Sequence, residues 1–341
     1  MSKTETGQTV DQSTALRIKK SFITGLATSL GESLKTTEMI MFLVLIALVT
    51  VATLINPRFI GVNNLHTLTR DSAILGIAGI GEGFAILVAG IDLSVGSILA
   101  LGGVLVAYFI VTQGLPIWAG IVLTLLIILL VGLIHGLFVT KLKMHGFLIT
   151  LVTMGVARGA CLVITKGWPI IDLPRSYNVI GQGYVASIPV PVIIFAAILG
   201  GTYFLLRFTY IGRQIYASGG NIEAAHLSGV NVDARIILCY VISAVCACLV
   251  GMIQAGRLTI GHPGAGEGYE LDAITACIVG GLSFFGGEGT VIGIAIGASI
   301  IGVLQNAMIM LRVSPYWHRI VIGLVLLLAI VFDYVRRRRG A

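Results

Sequence analysis

The sequence predicts an all-α polytopic membrane protein with about ten transmembrane helices, or eight, and with two glycine-rich segments that are broken or re-entrant. Composition is the first reason, because 57% of the 341 residues are hydrophobic, 11% are charged and the mean hydropathy is +1.00. A soluble domain of this length needs more polar surface. The second reason is a series of apolar runs about 20 residues long, the length that a helix needs to cross a hydrocarbon core.

Six apolar runs each have the length of one membrane-spanning helix. They lie near residues 39–55, 118–140, 146–165, 189–206, 236–256 and 319–335. Two further blocks, 72–112 and 270–311, are too long for one helix, and each contains a glycine-rich break. The first break is GIDLSVGS at 90–97, and the second is GGLSFFGGEGT at 280–290. Splitting both blocks gives ten spans, whereas a re-entrant element in each block gives eight.

Basic residues are unevenly distributed between the two sides that these spans define. Because both span counts are even, the two termini lie on the same side. Fourteen of the 22 lysines and arginines fall on that side, in the tail to Glu38, near 141–143, in the loop 207–235 and at the C-terminus. Seven fall in the opposite loops, and Arg158 lies within a span. By the positive-inside rule, we expect both termini in the cytoplasm.

Three parts of the chain follow from this map: a cytoplasmic N-terminal tail at 1–38, a transmembrane domain at 39–335 and a basic cytoplasmic C-terminus at 336–341. The tail contains TALRIKKSFITGLATSL, which is typical either of an amphipathic helix at the membrane interface or of a solvated segment. Four of the charges behind the net charge of +7 come from Arg336–Arg339. We therefore expect membrane lipid, and no nucleic acid, as the partner of these residues.

Signatures of catalysis and of metal binding are missing from the sequence. It contains no G-x-x-x-x-G-K-[ST], H-E-x-x-H or G-x-S-x-G motif, so we expect neither an ATPase site nor catalysis by this chain. The five cysteines fall in apolar segments, and we interpret them as packing residues without disulfides or a metal. No cofactor is expected on this chain.

The loop 207–235 is the most informative polar segment, and its basic residues place it on the cytoplasmic side. It contains an asparagine suited to an N-cap, a glutamate suited to a first helical turn, two strong helix formers and a glycine suited to end a helix. These residues are Asn221, Glu223, Ala224, Ala225 and Gly229. The pattern predicts a short helix between two glycine-containing turns, either an ordinary interfacial turn or a rigid docking element for a partner.

Several segments, in order along the chain, resemble those of a known family. The residues from Glu223 to Gly229 match the EAA-x-x-x-G core of the cytoplasmic loop by which permeases of ATP-binding-cassette (ABC) importers engage their ATPases, without the Leu-Pro that often follows. The other matching segments are GIDLSVGS, GGNIEAAHLSGVNV (219–232), GYELDAITACIVGG (268–281) and GGEGTVIGIAIGASIIGVLQNAM (286–308). From about residue 39 to its C-terminus, the chain resembles the ribose/galactose-type permeases of bacterial ABC sugar importers.

The resemblance implies the permease subunit of an importer that moves a pentose, a hexose or a related polyol across the bacterial inner membrane by alternating access. It also implies three partners: a second permease subunit, identical or different, an ATPase that uses ATP and Mg²⁺, and a periplasmic sugar-binding protein. The alternatives are a permease for nucleosides or branched-chain amino acids and an ion-coupled secondary transporter. A secondary transporter needs more buried acids than Glu82 and Asp92.

Two acids lie deep in the first long block, Glu82 before the first break and Asp92 within it. Intramembrane acids are costly and therefore point to function. Glu82 is expected either to line the solute path or to pair with Arg158. Gly90 is expected to let the backbone turn, and Asp92 or Ser94 to cap the helix that restarts. The candidate residues of the translocation path are Glu82, Gly90, Asp92, Ser94 and Gly96.

Acids near the start of the second block suit two roles. Glu270 and Asp272 would lie in the first turn of a helix, where the helix dipole favours a negative charge. Together with Glu267, they are also candidate contacts for the binding protein, to which the loops 257–272 and 166–188 would be exposed.

Overall fold

The computed structural model describes residues 37–340, with side chains over 38–335. The tail predicted at 1–38, including the segment considered for an amphipathic helix, lies outside the described residues except for its last two positions. The helices of the described chain are α1 (Thr37–Ile55), α2 (Val62–Leu87), α3 (Val95–Ala107), α4 (Ile117–Lys141), α5 (Gly146–Thr165), α6 (Arg175–Gln182), α7 (Val190–Phe208), α8 (Tyr210–Gly220), α9 (Ile222–Leu227), α10 (Val232–Leu258), α11 (Tyr269–Val279), α12 (Val291–Met310) and α13 (Pro315–Gly340).

The predicted all-α membrane architecture is confirmed. Within residues 37–340, eight helices are long and apolar enough to span a membrane: α1, α3 with its π-helical extension, α4, α5, α7, α10, α12 and α13. Each of the six single apolar runs forms one helix within a few residues of the expected bounds. α2 is 26 residues long but carries three charged residues, and α11 has 11 residues. When α2 and α11 are counted with these eight helices, ten helices correspond to the ten predicted spans. α11 is about half as long as a helix that crosses the membrane.

The first long block is interrupted between α2 and α3, at residues 88–94. The chain turns at Ala89, whose φ is +57°, and the N–H of Gly90 donates to the carbonyl oxygen of Ala85 (2.9 Å). The turn expected at Gly90 is therefore made one residue earlier. Gly90 serves close packing instead, because a Cβ at this position would overlap the hydroxyl of Tyr240.

The second long block is interrupted between α11 and α12, at residues 280–290. The hydroxyl of Ser283 and the N–H of Phe284 donate to the carboxylate of Asp333 on α13 (3.3 and 3.2 Å). The glycines of this break have a direct backbone role, because a Cβ disfavours positive φ. The glycines with positive φ are Gly281, Gly286, Gly287 and Gly289.

α10 lies at the centre of the bundle, packed against α2, α3, α4 and the short α6. Small residues allow the closest approach, since a Cβ on Gly251 of α10 would overlap the carbonyl oxygen of Leu99 on α3. Buried apolar side chains of α3 and α10 contribute most of the largest core cluster. By contrast, α1, α7 and α13 bury few residues and expose large apolar side chains, as helices that face lipid do.

A helix and a hairpin occupy the segment expected as the exposed loop 166–188. The hydroxyl of Tyr177 on α6 donates to the carbonyl oxygen of Met252 on α10 (2.9 Å), so part of this segment is packed against the bundle. Its two antiparallel strands are β1 (Tyr184–Val185) and β2 (Ile188–Pro189).

Candidate functional site

One buried carboxylate organises the first break. Asp92 is 0% exposed and accepts hydrogen bonds from the N–H and the hydroxyl of Ser94 and from the hydroxyl of Ser243 on α10 (2.9, 2.5 and 2.7 Å). Ser94 is the N-cap residue of α3 and makes no side-chain cap bond. Asp92, rather than Ser94, therefore supplies the side-chain acceptor at the start of α3, and it also joins the break to α10.

Glu82 on α2 faces the same break. Its Oε1 accepts the N–H of Asp92 (3.2 Å), whereas its buried Oε2 has no hydrogen-bond partner among the described residues. The expected pairing of Glu82 with Arg158 is wrong. Glu82 and Asp92 take part in none of the ion pairs among side chains 38–335, which are Lys141–Asp233, Arg257–Asp71 and Arg319–Glu267.

Arg158 on α5 instead anchors the loop between α10 and α11. Its Nη1 donates to the carbonyl oxygens of Pro263 (2.7 Å) and Ala265 (2.8 Å). A guanidinium has five N–H donors, so it can hold two carbonyls of an irregular loop that other groups leave unpaired. The Arg158 guanidinium therefore holds this loop and does not pair with Glu82.

Thr150 on α5 is a part of the site that the sequence pattern does not single out. Its hydroxyl accepts the N–H of Leu93 (3.2 Å). The single hydroxyl proton lies within donating distance of the carbonyl oxygen of Ile91 (3.2 Å) and of two carbonyl oxygens of α5 itself. Ile91 and Leu93 flank Asp92. The backbone of the break is thus satisfied by side chains from its own chain segment and from α5, as buried irregular backbone requires.

Tyr240 on α10 is the other member of the site without a local sequence signal of its own. Its ring packs edge-on against His135 of α4, with centroids 6.2 Å apart. Its buried hydroxyl has no hydrogen-bond partner and lies where a Cβ on Gly90 or Gly146 would be. Tyr240 and Ser243 are three residues apart and so lie on one face of the helix, within its apolar central part at 236–253. This spacing marks a polar position on the helix face, but it does not identify the groups that Tyr240 and Ser243 contact.

The N-termini of α3 and α11 meet. Gly96 lies in the first turn of α3, and a Cβ there would overlap the carbonyl oxygen of Gly266 and the Oε2 of Glu270. Glu270 lies in the first turn of α11 and is half-buried. A carboxylate between two helix N-termini interacts favourably with both helix dipoles. Glu270 therefore helps to hold the starts of α3 and α11 together.

The other two acids predicted near this end differ in exposure. The side chain of Glu267 is 72% exposed and lies 3.9 Å from Arg319. Asp272 is half-buried and accepts a hydrogen bond from Gln305 on α12 (3.1 Å). Of the three predicted contact residues, Glu267 alone presents most of its side chain to the surroundings.

The helix predicted within 207–235 is α9, and its ends have the predicted residues. The side chain of Asn221 accepts the N–H of Ala224 (2.9 Å), and Glu223 lies in the first turn. Gly229 follows the last turn with a φ of +78°. The structure adds α8 immediately before α9, a helix that the sequence pattern does not predict.

α9 presents most of its surface outward. Ala225 is buried against the rest of the protein, while Glu223 and Ala224 are exposed. Leu227 is 88% exposed, although it is a large apolar residue at the end of a charged loop. α9 is therefore a short, capped helix with most of its side chains available for contact with another molecule.

The chain belongs to the family described as the permease component of branched-chain amino acid transport systems, which matches residues 64–330. It is thus a multi-pass membrane permease. It is 43% identical over 296 residues to the ribose import permease protein RbsC of Haemophilus influenzae, a match that covers 86% of this chain and 91% of that protein. The ribose import permease protein RbsC of Bacillus subtilis is 43% identical over 294 residues, with the same coverage.

The D-allose transport system permease protein AlsC of Escherichia coli is also similar. It is 37% identical over 293 residues, which cover 86% of this chain and 90% of that protein. No solved structure matches the chain.

Proposed function

We propose that this chain is the permease subunit of an ABC importer that moves a monosaccharide, a pentose, hexose or related polyol, across the bacterial inner membrane. The observation that carries this proposal is 43% identity to two ribose import permeases over 86% of the chain. Relatives named for D-allose and xylose support a sugar as the solute class.

We assign the translocation path to the first break and its flanks. Carboxylates and hydroxyls form hydrogen bonds with sugar hydroxyls, and irregular backbone within a membrane is tolerated where it lines a cavity or is buried in protein. The Glu82, Asp92 and Ser94 side chains are 0% exposed, so the path is closed here in this conformation. Alternating access would open it by moving the surrounding helices. The assigned residues are Glu82, Gly90, Asp92, Ser94 and Gly96.

The proposed importer also contains a second permease subunit, identical or different, a separate ATPase that uses ATP and Mg²⁺, and a periplasmic binding protein. In this proposal, the ATPase binds α9, whose exposed Leu227 and capped N-terminus support a docking role. In this proposal, the binding protein contacts Glu267, Glu270 and Asp272 on the periplasmic side, and the exposure of Glu267 supports its part in this contact. The excess of basic residues near the termini supports their cytoplasmic location.

The test is uptake by proteoliposomes that contain this chain together with its cognate ATPase and binding protein. We expect ATP-dependent uptake of ribose, allose or xylose that requires the binding protein. ATP-dependent uptake of branched-chain amino acids or nucleosides, but not of sugars, would replace the proposed solute class. Uptake by this chain alone, driven by an ion gradient, would instead identify a secondary transporter.

A further inference from the structure

The two breaks and the start of α9 meet in a contact made almost entirely of backbone. The N–H of Gly287, in the second break, donates to the carbonyl oxygen of Leu87, the last residue of α2 (3.0 Å). Gly219 of α8 lies against the same oxygen, which a Cβ on Gly219 would overlap. A Cβ on Gly287 would come within 2.6 Å of the backbone of Gly220. We call these four residues, Leu87, Gly219, Gly220 and Gly287, the glycine junction.

The glycine junction adjoins α9 directly. Asn221, the N-cap residue of α9, is the next residue after Gly220. α8 is also tied to the second break by the hydroxyl of Tyr216, which donates to the carbonyl oxygen of Gly289 (2.8 Å). The N-terminal end of α9 is therefore fixed to both breaks without an intervening flexible side chain.

The C-terminal end of α9 is packed differently. A Cβ added to Gly229 would meet nothing within 4 Å, and Ala225 is the buried residue of the helix. Packed, rigid elements transmit displacement between distant sites better than open loops do. The N-terminal side of α9 is the side that leads directly to the glycine junction.

We propose that the glycine junction is the contact through which a displacement of α9 reaches both breaks together, so that Gly219 and Gly287 are positioning residues for transport. This inference rests on the proposed function, in which the ATPase binds α9. A displacement at the start of α9 reaches both breaks in this proposal because Leu87 and Gly287 are joined by a hydrogen bond and contact adjacent glycines.

Two alanine variants at neighbouring positions test the glycine junction. Gly219→Ala places a methyl group on the Leu87 carbonyl, whereas the methyl group of Gly220→Ala meets nothing within 4 Å. In the complete importer in proteoliposomes, we expect Gly219→Ala to lower the number of sugars transported per ATP hydrolysed by about fivefold or more, the scale of typical coupling between sites. Gly220→Ala should match the wild type. Equal ratios in both variants and the wild type would overturn the inference.

A second variant tests the same inference if Gly219→Ala fails to assemble. Two glycines inserted between Gly220 and Asn221 add no side chain, keep every junction residue and lengthen only the link to α9. We expect the ATPase to copurify with this variant and the transport-to-hydrolysis ratio to fall by a similar factor. An unchanged ratio would overturn the inference. If the wild-type importer itself shows no ATP-driven sugar uptake, the proposed function has failed, which is a distinct result.

Discussion

Asp92 brings together α10 and the backbone of the first break at a single side chain. It accepts three hydrogen bonds, two from Ser94 and one from Ser243, while its own N–H is bound by Glu82. Buried polar groups are tolerated when hydrogen bonds satisfy them. These hydrogen bonds explain how Asp92 is held inside the bundle without an ion pair to any of the described residues.

Substitution of Asp92 separates structure from solute contact. Asp92→Asn keeps an oxygen for Ser94, and the Ser243 hydroxyl can rotate to accept from the amide, so we expect near-normal uptake and thermal stability. Asp92→Ala leaves buried donors unpaired at a cost of about 1–3 kcal/mol each, so we expect a lower Tm and reduced uptake. Thermal unfolding in detergent and uptake in proteoliposomes measure the two effects. Loss of uptake in Asp92→Asn at unchanged Tm would instead assign the charge to solute binding.

Some residues of the candidate site can be predicted from local sequence patterns, and others cannot. Asp92 could be identified because an acid and two glycines interrupt an apolar block, and Asn221 because a cap residue precedes two alanines. Ser243 could not, since its role depends on a contact with a residue 151 positions away. The partner of Arg158 was predicted wrongly because a sequence shows which charges a block contains, but not which groups lie opposite them.

α9 is a short helix whose two ends are defined by capping residues. It has six residues and one buried side chain, so its own hydrogen bonds and packing contribute little stability. The Asn221 cap and the left-handed Gly229 set where it starts and stops. Its outward face is therefore available for a partner without any cost to the core.

The exposed end of α9 can be altered without disturbing the fold. Leu227→Asp places a charge on a side chain that is 88% exposed, so we expect normal membrane insertion and loss of ATPase binding. Ser228→Ala is the matched control, because the Ser228 hydroxyl donates only to the carbonyl oxygen of Ala224. Copurification of the ATPase measures the difference. Retention of the ATPase by Leu227→Asp would place the docking surface elsewhere.

At the level of elements, long apolar helices could be predicted within a few residues, because hydropathy marks them directly. α6 and α8 could not, since both are short and partly polar, and packing helps to fix them. The hydroxyl of Tyr177 binds α10, and the hydroxyl of Tyr216 binds the second break. Elements of this kind depend on tertiary contacts that local propensity does not contain.

The whole bundle is arranged around α10, which links the two ends of the molecule. α10 has 27 residues and is therefore about 40 Å long at 1.5 Å per residue. α9 lies before its first residue, and the loop that Arg158 anchors follows its last. The proposed ATPase contact and the exposed Glu267 thus belong to opposite ends of one long helix.

Chemical labelling tests this arrangement in the membrane. All five native cysteines are buried, so background reaction with a membrane-impermeant maleimide should be low. We expect Glu267→Cys to react in right-side-out vesicles and Leu227→Cys to react in inverted vesicles. The reversed labelling pattern would contradict the positive-inside orientation, and reaction of both variants in the same vesicle preparation would contradict their location on opposite sides of the membrane.

Chain order gives the central position of α10 a consequence for biogenesis. α2, α3, α4 and α5 leave the ribosome and enter the bilayer before residues 232–258 are synthesised. Until then, Asp92 has no Ser243 to bind, and α3 has no Gly251 to pack against. The early helices therefore complete their packing only after α10 has entered the bilayer. A ribosome that stalls before residue 232 would leave an inserted but unassembled chain, open to membrane proteases.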